Sequence, residues 1–196
     1  MNQTDRVLSE RFEEALRLAT QLHAGQKRKK SKTPYIAHLL SVTALVLEAG
    51  GDEDVAIAAL LHDAVEDQGG LETLEQIRGQ FGERVANIVD VCTDSYTTPK
   101  PPWRERKEAY IAHLREATPE AQLVSLADKL HNARAILRDL RQRGETTWDK
   151  FNGGKEGTLW YYNTLLEVLQ ESIDNTLVNE LERVVVEIGQ LAEEED

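Results

Sequence analysis

The chain has 196 residues, with 35 acids against 23 bases and a formal net charge of −12. This length suits one domain with a sizeable core, and 40% hydrophobic with 30% charged residues fits a soluble folded protein, not a disordered one. Net acidity argues against a general nucleic-acid coat, and the single Cys92 leaves no intrachain disulfide and no thiolate cluster for a metal. MNQTDRVLSERFEE shows no basic-then-apolar leader, and Tyr35 to Ala49 is too short and too interrupted to span a bilayer. A cytoplasmic protein without a membrane partner is expected.

Almost every segment carries helical periodicity. Ser9 reads as N-cap of a helix from about Glu10 to Ala24, with Phe12, Ala15, Leu16, Ala19 and Leu22 on one face and Gly25 as its stop. Thr33-Pro34 reads as N-cap and first residue of a second helix ending at Gly50-Gly51. Asp52 caps a third helix through Val65, apolar on nearly all sides and so central to the bundle. Shorter helices are expected over Leu71 to Gln80 and Glu83 to Thr93. Pro99, Pro101 and Pro102 make Thr97 to Pro102 a loop, before a helix from Trp103 to Glu116. Thr118-Pro119 opens a long helix to Arg143, Asn152-Gly153-Gly154 is a turn, and two patterns follow over Glu156 to Glu171 and Leu177 to Ala192. No strand alternation or repeat interrupts this, so the fold class is all-α in a single domain.

The charge is uneven. Leu166 to Asp196 holds ten acids and one base, whereas five of the six positions from Lys27 to Lys32 are basic. A second basic patch, Lys100, Arg104, Arg106 and Lys107, follows the prolines. Such runs are commonly solvated surface; the functional reading is a mouth for a small polyanion.

The informative anomaly is ionisable groups within apolar helices, where they are costly unless paired or metal-bound. His62 and Asp63 follow Ala58-Ala-Leu-Leu directly, and Glu66 and Asp67 lie four residues on from each. His38 sits in Tyr35-Ile-Ala-His-Leu-Leu. Asp128 sits in Leu123-Val-Ser-Leu-Ala-Asp-Lys-Leu, with His131 and Asn132 on its face. Two imidazoles and two carboxylates from three helices make a mixed nitrogen and oxygen set suited to Mn²⁺, Fe²⁺ or Zn²⁺. Taken alone, His38 is more readily a core histidine than a ligand, His23 more readily interior packing, and Tyr35 a core aromatic as readily as a pocket wall. Trp160, Tyr161 and Tyr162 read as packing for the tail helix.

At these residues the chain resembles the HD-domain phosphohydrolases, and within them the (p)ppGpp hydrolases of RelA/SpoT type, stand-alone small alarmone hydrolases in particular. The resemblance is carried by HAGQKRKKSKTPYIAH, DEDVAIAALLHDAVED, FGERVANIVDVCTD and LVSLADKLHNARAI, covering most of residues 12–140. It implies an HD-type helical bundle with extra C-terminal helices over about 145–196. It implies metal ligation by His38, His62, Asp63 and Asp128, usually of Mn²⁺, and catalytic carboxylates at Glu66 and Asp67. Arg28 is implied at the guanine with Lys29 nearby, and Asn132 at the ribose or a phosphate. Lys27, Tyr35 and Arg104 are expected at the pocket.

The implied reaction is hydrolysis of the 3′-pyrophosphate of ppGpp or pppGpp to GDP or GTP and pyrophosphate. Residues from Arg141 onward are too few for the synthetase domain of longer relatives, so synthesis is expected to be absent. The chain departs from the pattern at Leu39, where relatives often carry proline, at Ser125, where they often carry lysine, and in a longer Lys29–Tyr35 loop. Two alternatives share the pattern: hydrolysis of another nucleotide, such as a 5′-nucleotide or the 2′-phosphate of NADPH, and a degenerate HD fold that binds a nucleotide without cleaving it.

Overall fold

The computed structural model describes residues 7–97 and 99–194, so Thr98 of the proline loop, the first six residues of the leader reading and the last two acids of the tail lie outside the described residues. Contacts divide the chain into two units at Tyr96 and Thr97. Among the described residues, both units are built of helices, and the sole extended pairing is an isolated bridge between Lys27 and Pro34.

The first unit holds α1 (Glu10–Leu22), α2 (Ile36–Glu48), α3 (Glu53–Leu61), α4 (Ala64–Gln68), α5 (Gly70–Phe81) and α6 (Glu83–Cys92). Helix α3 is its axis: every residue from Val55 to Leu61 is at most 2% exposed, and α1, α2 and α6 all pack on it. This is the outcome expected of a helix that is apolar on all sides. Its start is set by Asp52, whose carboxylate accepts from Val55 N at 3.2 Å and is clamped by Arg84 at 2.7 Å. Ser9 caps α1 through Arg11 N at 3.2 Å.

Three sequence expectations need correcting. Helix α1 ends at Leu22, short of Ala24 and Gly25, because the chain turns at His23 and Gln26 N bonds back to His23 O at 3.0 Å. Helix α2 begins at Ile36, not Pro34. Thr33 O accepts from Arg28 N and Tyr35 N donates to Gln26 O, each at 3.0 Å, so Thr33 and Pro34 close the basic loop as a two-stranded clip. The helix expected from Asp52 to Val65 is interrupted at His62-Asp63, which separates α3 from α4.

The second unit holds α7 (Trp103–Arg115), α8 (Pro119–Arg143), a 3-10 helix (Gly144–Lys150), α9 (Gly154–Ser172) and α10 (Thr176–Glu194). Thr118 caps α8 through Ala121 N at 3.4 Å, with Pro119 in its first turn and Gly144 ending it at φ 58. Helix α8 packs on α10 and α7 on α9. Trp103 lies against Gly153 and Gly157, where a Cβ would come within 2.7 Å and 3.1 Å of the indole. Tyr161 and Tyr162 are buried and Trp160 half-buried, in keeping with packing that secures α9. The 3-10 helix has no clear periodic signal in its seven residues.

Candidate metal centre

The interruption between α3 and α4 builds the centre. A helix leaves its last carbonyls without intrahelical donors. Ala59 O, in the last turn of α3, instead accepts from His62 Nδ1 at 2.8 Å. With its proton on Nδ1, His62 turns Nε2 toward Asp63, 3.0 Å from Oδ2. His38 of α2 brings its Nε2 to 3.4 Å from the same oxygen. The two rings meet edge to face with centroids 5.2 Å apart, and their ligand nitrogens lie within 4.8 Å of one another. Both histidines are at most 2% exposed. Tyr35 donates its hydroxyl to Asp63 Oδ2 at 2.7 Å.

Two imidazole nitrogens and a carboxylate oxygen are all electron-pair donors in their neutral and ionised forms. Such groups repel one another at this range unless a proton or a cation lies between them. The donor set fits a borderline divalent ion, and the outer hydrogen bonds from Ala59 and Tyr35 are of the kind that orient metal ligands.

The catalytic carboxylates expected from the sequence flank this cluster on α4. Glu66 Oε2 accepts from Asp94 N at 3.3 Å. Asp67 Oδ2 accepts from Gln26 Nε2 at 2.7 Å. Burial, with the adjacent charge of Asp63, pushes the Asp67 carboxyl above its ordinary pKa, and the Gln26 hydrogen bond opposes that shift.

Of the basic loop, Arg28 is half-buried with its guanidinium 5.6 Å from the Tyr35 ring centroid, whereas Lys27 and Lys29 are exposed. Arg28 therefore lies against the tyrosine that holds Asp63. His23 is buried and stacked on the same tyrosine, with its ring centroid 5.1 Å from that of Tyr35.

The second unit groups the LADKLHN residues. Asp128 is 6% exposed. Its Oδ1 accepts from Asn132 Nδ2 and its Oδ2 from Lys129 Nζ, each at 2.6 Å. Burial opposes the charge on Lys129, but Asp128 and the phenols of Tyr110 and Tyr161 outweigh it and keep the ammonium protonated. Lys129 Nζ also sits 4.8 Å from the Tyr110 ring, whose hydroxyl is 2.6 Å from Ser125 Oγ. Arg104 stacks on Trp160 at 3.2 Å and pairs with Glu108 at 2.7 Å. Gln26 and Lys129 had no role in the sequence reading. Both stand inside motif segments, but an amide or ammonium in a loop or helix carries no periodic anomaly of its own.

The HD-domain family model matches residues 15–159, running across both units. The chain belongs to the HD-domain family. Among HD-domain proteins it is 43% identical over 140 residues to the guanosine-3′,5′-bis(diphosphate) 3′-pyrophosphohydrolase MESH1 of Xenopus tropicalis, covering 70% of this chain and 73% of that one. The human protein of the same name is 38% identical over the same shares. The HD-domain fold is also shared with a solved structure described as a metazoan ortholog of SpoT that hydrolyses ppGpp and plays a role in starvation responses. That likeness has a TM-score of 0.76 and 32% identity, and covers 92% of this chain and 97% of the other.

Proposed function

We propose that this chain is a metal-dependent hydrolase that removes the 3′-pyrophosphate of guanosine tetra- and pentaphosphate. The observation that carries this reading is the His38–His62–Asp63 cluster, its two imidazoles buried, within a chain 38–43% identical to relatives named for that hydrolysis. His38, His62 and Asp63 would hold the ion, with Asp128 of the LADKLHN segment as fourth ligand, and both units would serve one HD-type domain. A divalent ion bound there, which we take to be Mn²⁺, lowers the pKa of water and polarises a phosphoryl oxygen.

The remaining chemistry falls to the chain. Glu66, steadied by the Asp94 amide, and Asp67, steadied by Gln26, orient the water and take its proton. The water oxygen bonds to the 3′-linked phosphorus, the P–O3′ bond breaks, and O3′ recovers a proton as pyrophosphate leaves. Arg28, with Tyr35 beneath it, is suited to a purine face. Lys27 and Lys29 offer charge to the phosphates, and Asn132 a donor to the sugar or a phosphate. Arg104 would serve the pocket only by leaving its stack on Trp160.

The test is metal analysis of the purified protein and chromatography of ppGpp incubated with it in Mn²⁺. GDP and pyrophosphate are expected from wild type. His62→Ala and Asp63→Asn should lose both metal and turnover, whereas Glu66→Gln keeps metal and loses about 10²–10⁴-fold in rate. A metal-replete Asp63→Asn protein with wild-type turnover refutes the ligand assignment. Cleavage of another nucleotide with ppGpp untouched refutes the substrate.

A further inference from the structure

Gln26 closes the loop between α1 and α2, and both ends of its side-chain amide are engaged. Nε2 donates to Asp67 Oδ2 at 2.7 Å. Oε1 receives Gln68 Nε2 at 2.6 Å and faces His23 Nδ1 at 2.7 Å. An ionised carboxylate can only accept, so Nε2 must face Asp67 and the amide has one orientation. The oxygen that remains must then meet a protonated Nδ1 on His23. That ring is 2% exposed and stacked on Tyr35. The Gln26 carbonyl accepts from Tyr35 N at 3.0 Å, so the residue is fixed by main chain as well.

We propose that Gln26, oriented by His23 and Gln68, is the positioning residue of Asp67: it holds that carboxylate in one rotamer. The inference rests on the hydrolase reading above. It gives a role to the glutamine of the HAGQKRKK segment and to a buried histidine outside the ligand set. It also couples the basic loop to the proton-handling end of the site, because Gln26 directly precedes Lys27.

Without that donor the Asp67 carboxylate can leave the rotamer that faces Gln26, so the proton-handling step slows while metal and nucleotide binding persist.

Gln26→Glu is nearly isosteric but sets a second carboxyl against Asp67. It should keep its metal content and Tm, and lower kcat about tenfold or more with KM within about twofold. His23→Asn, which offers an amide donor near the place of Nδ1, should retain more activity than His23→Leu. A Gln26→Glu protein with wild-type kcat overturns the proposal, as does loss of bound metal, which would make the residue part of the metal scaffold. A readout independent of turnover separates this from the substrate reading. Two-bond ¹H–¹⁵N spectra of wild type should show His23 with its proton on Nδ1, and Gln26→Ala should lose that preference. If wild type leaves ppGpp intact, the hydrolase reading fails and the spectra still decide the relay; an Nε2-protonated His23 overturns it.

Discussion

At the residue scale, two hydrogen bonds decide how the donors of the metal centre face one another. His62 Nδ1 is spent on Ala59 O, which turns Nε2 toward Asp63 and the proposed ion. Tyr35 holds Asp63 Oδ2 at 2.7 Å and so sets the carboxylate plane. Tyr35→Phe removes that donor while leaving a ring to stack on His23 and carry Arg28. Loss of an outer hydrogen bond to a metal ligand commonly costs about 10–100-fold in affinity. Calorimetric Mn²⁺ titration of the metal-stripped Tyr35→Phe protein should therefore show weaker binding by that order, with little change in Tm. Unchanged Mn²⁺ affinity would mean that helix packing alone orients Asp63.

At the element scale, the site lies where a helix stops. Val55 to Leu61 fill the interior and the next two residues are the proposed ligands, and the chain leaves the α3 axis at His62 and restarts at Ala64. Sequence periodicity located the helices well because most elements bury one recurring apolar face and α3 is apolar throughout, and Ser9, Asp52 and Thr118 announced their starts. The interruption at His62-Asp63 was not legible, because Asp67 N still bonds to Asp63 O at 3.0 Å and the apolar residues run on through Val65. The start of α2 was misread for a tertiary reason: Thr33-Pro34 has the local form of a cap, but its backbone is taken by Arg28 across the loop. The imidazoles and acids were legible as costly groups on apolar helices, whereas Gln26 and Lys129 gain their meaning only from partners that folding supplies.

The capping of α3 gives this scale its own test. Asp52→Ala removes both the Val55 bond and the Arg84 clamp, and loss of such a cap costs about 1 kcal/mol in urea denaturation. Burial opposes the charge on Asp52, but Arg84 and the Val55 amide outweigh it and hold the carboxyl below its ordinary 3.8. A lowered carboxyl pKa stabilises the fold above the ordinary value and loses that contribution as pH falls through the depressed one. The gap between Asp52→Ala and wild type should thus be widest near neutrality and narrow in acid. A gap independent of pH would assign the effect to helix propensity instead of charge.

At the scale of the whole molecule, the net charge of −12 acts in two opposed ways. Ten of the acids fall in the last 31 residues, and along α10 some are matched, as Arg134 with Glu180 and Arg141 with Glu187. Self-repulsion of that surplus works against the compact state. The loop from Lys27 to Lys32 carries the opposite sign next to the centre, and would gather the tetraphosphate nucleotide proposed as substrate. Salt screens both effects once the Debye length falls to about 8 Å or less. Raising NaCl from about 0.05 to 0.5 M should therefore raise Tm and raise KM for ppGpp together, with kcat much less affected. Lys27→Glu/Lys29→Glu should raise KM at low salt and flatten its salt dependence while leaving the salt dependence of Tm intact. A KM that ignores salt in wild type would show that the basic loop does not gather the substrate, and would move that role to residues of the second unit such as Lys107.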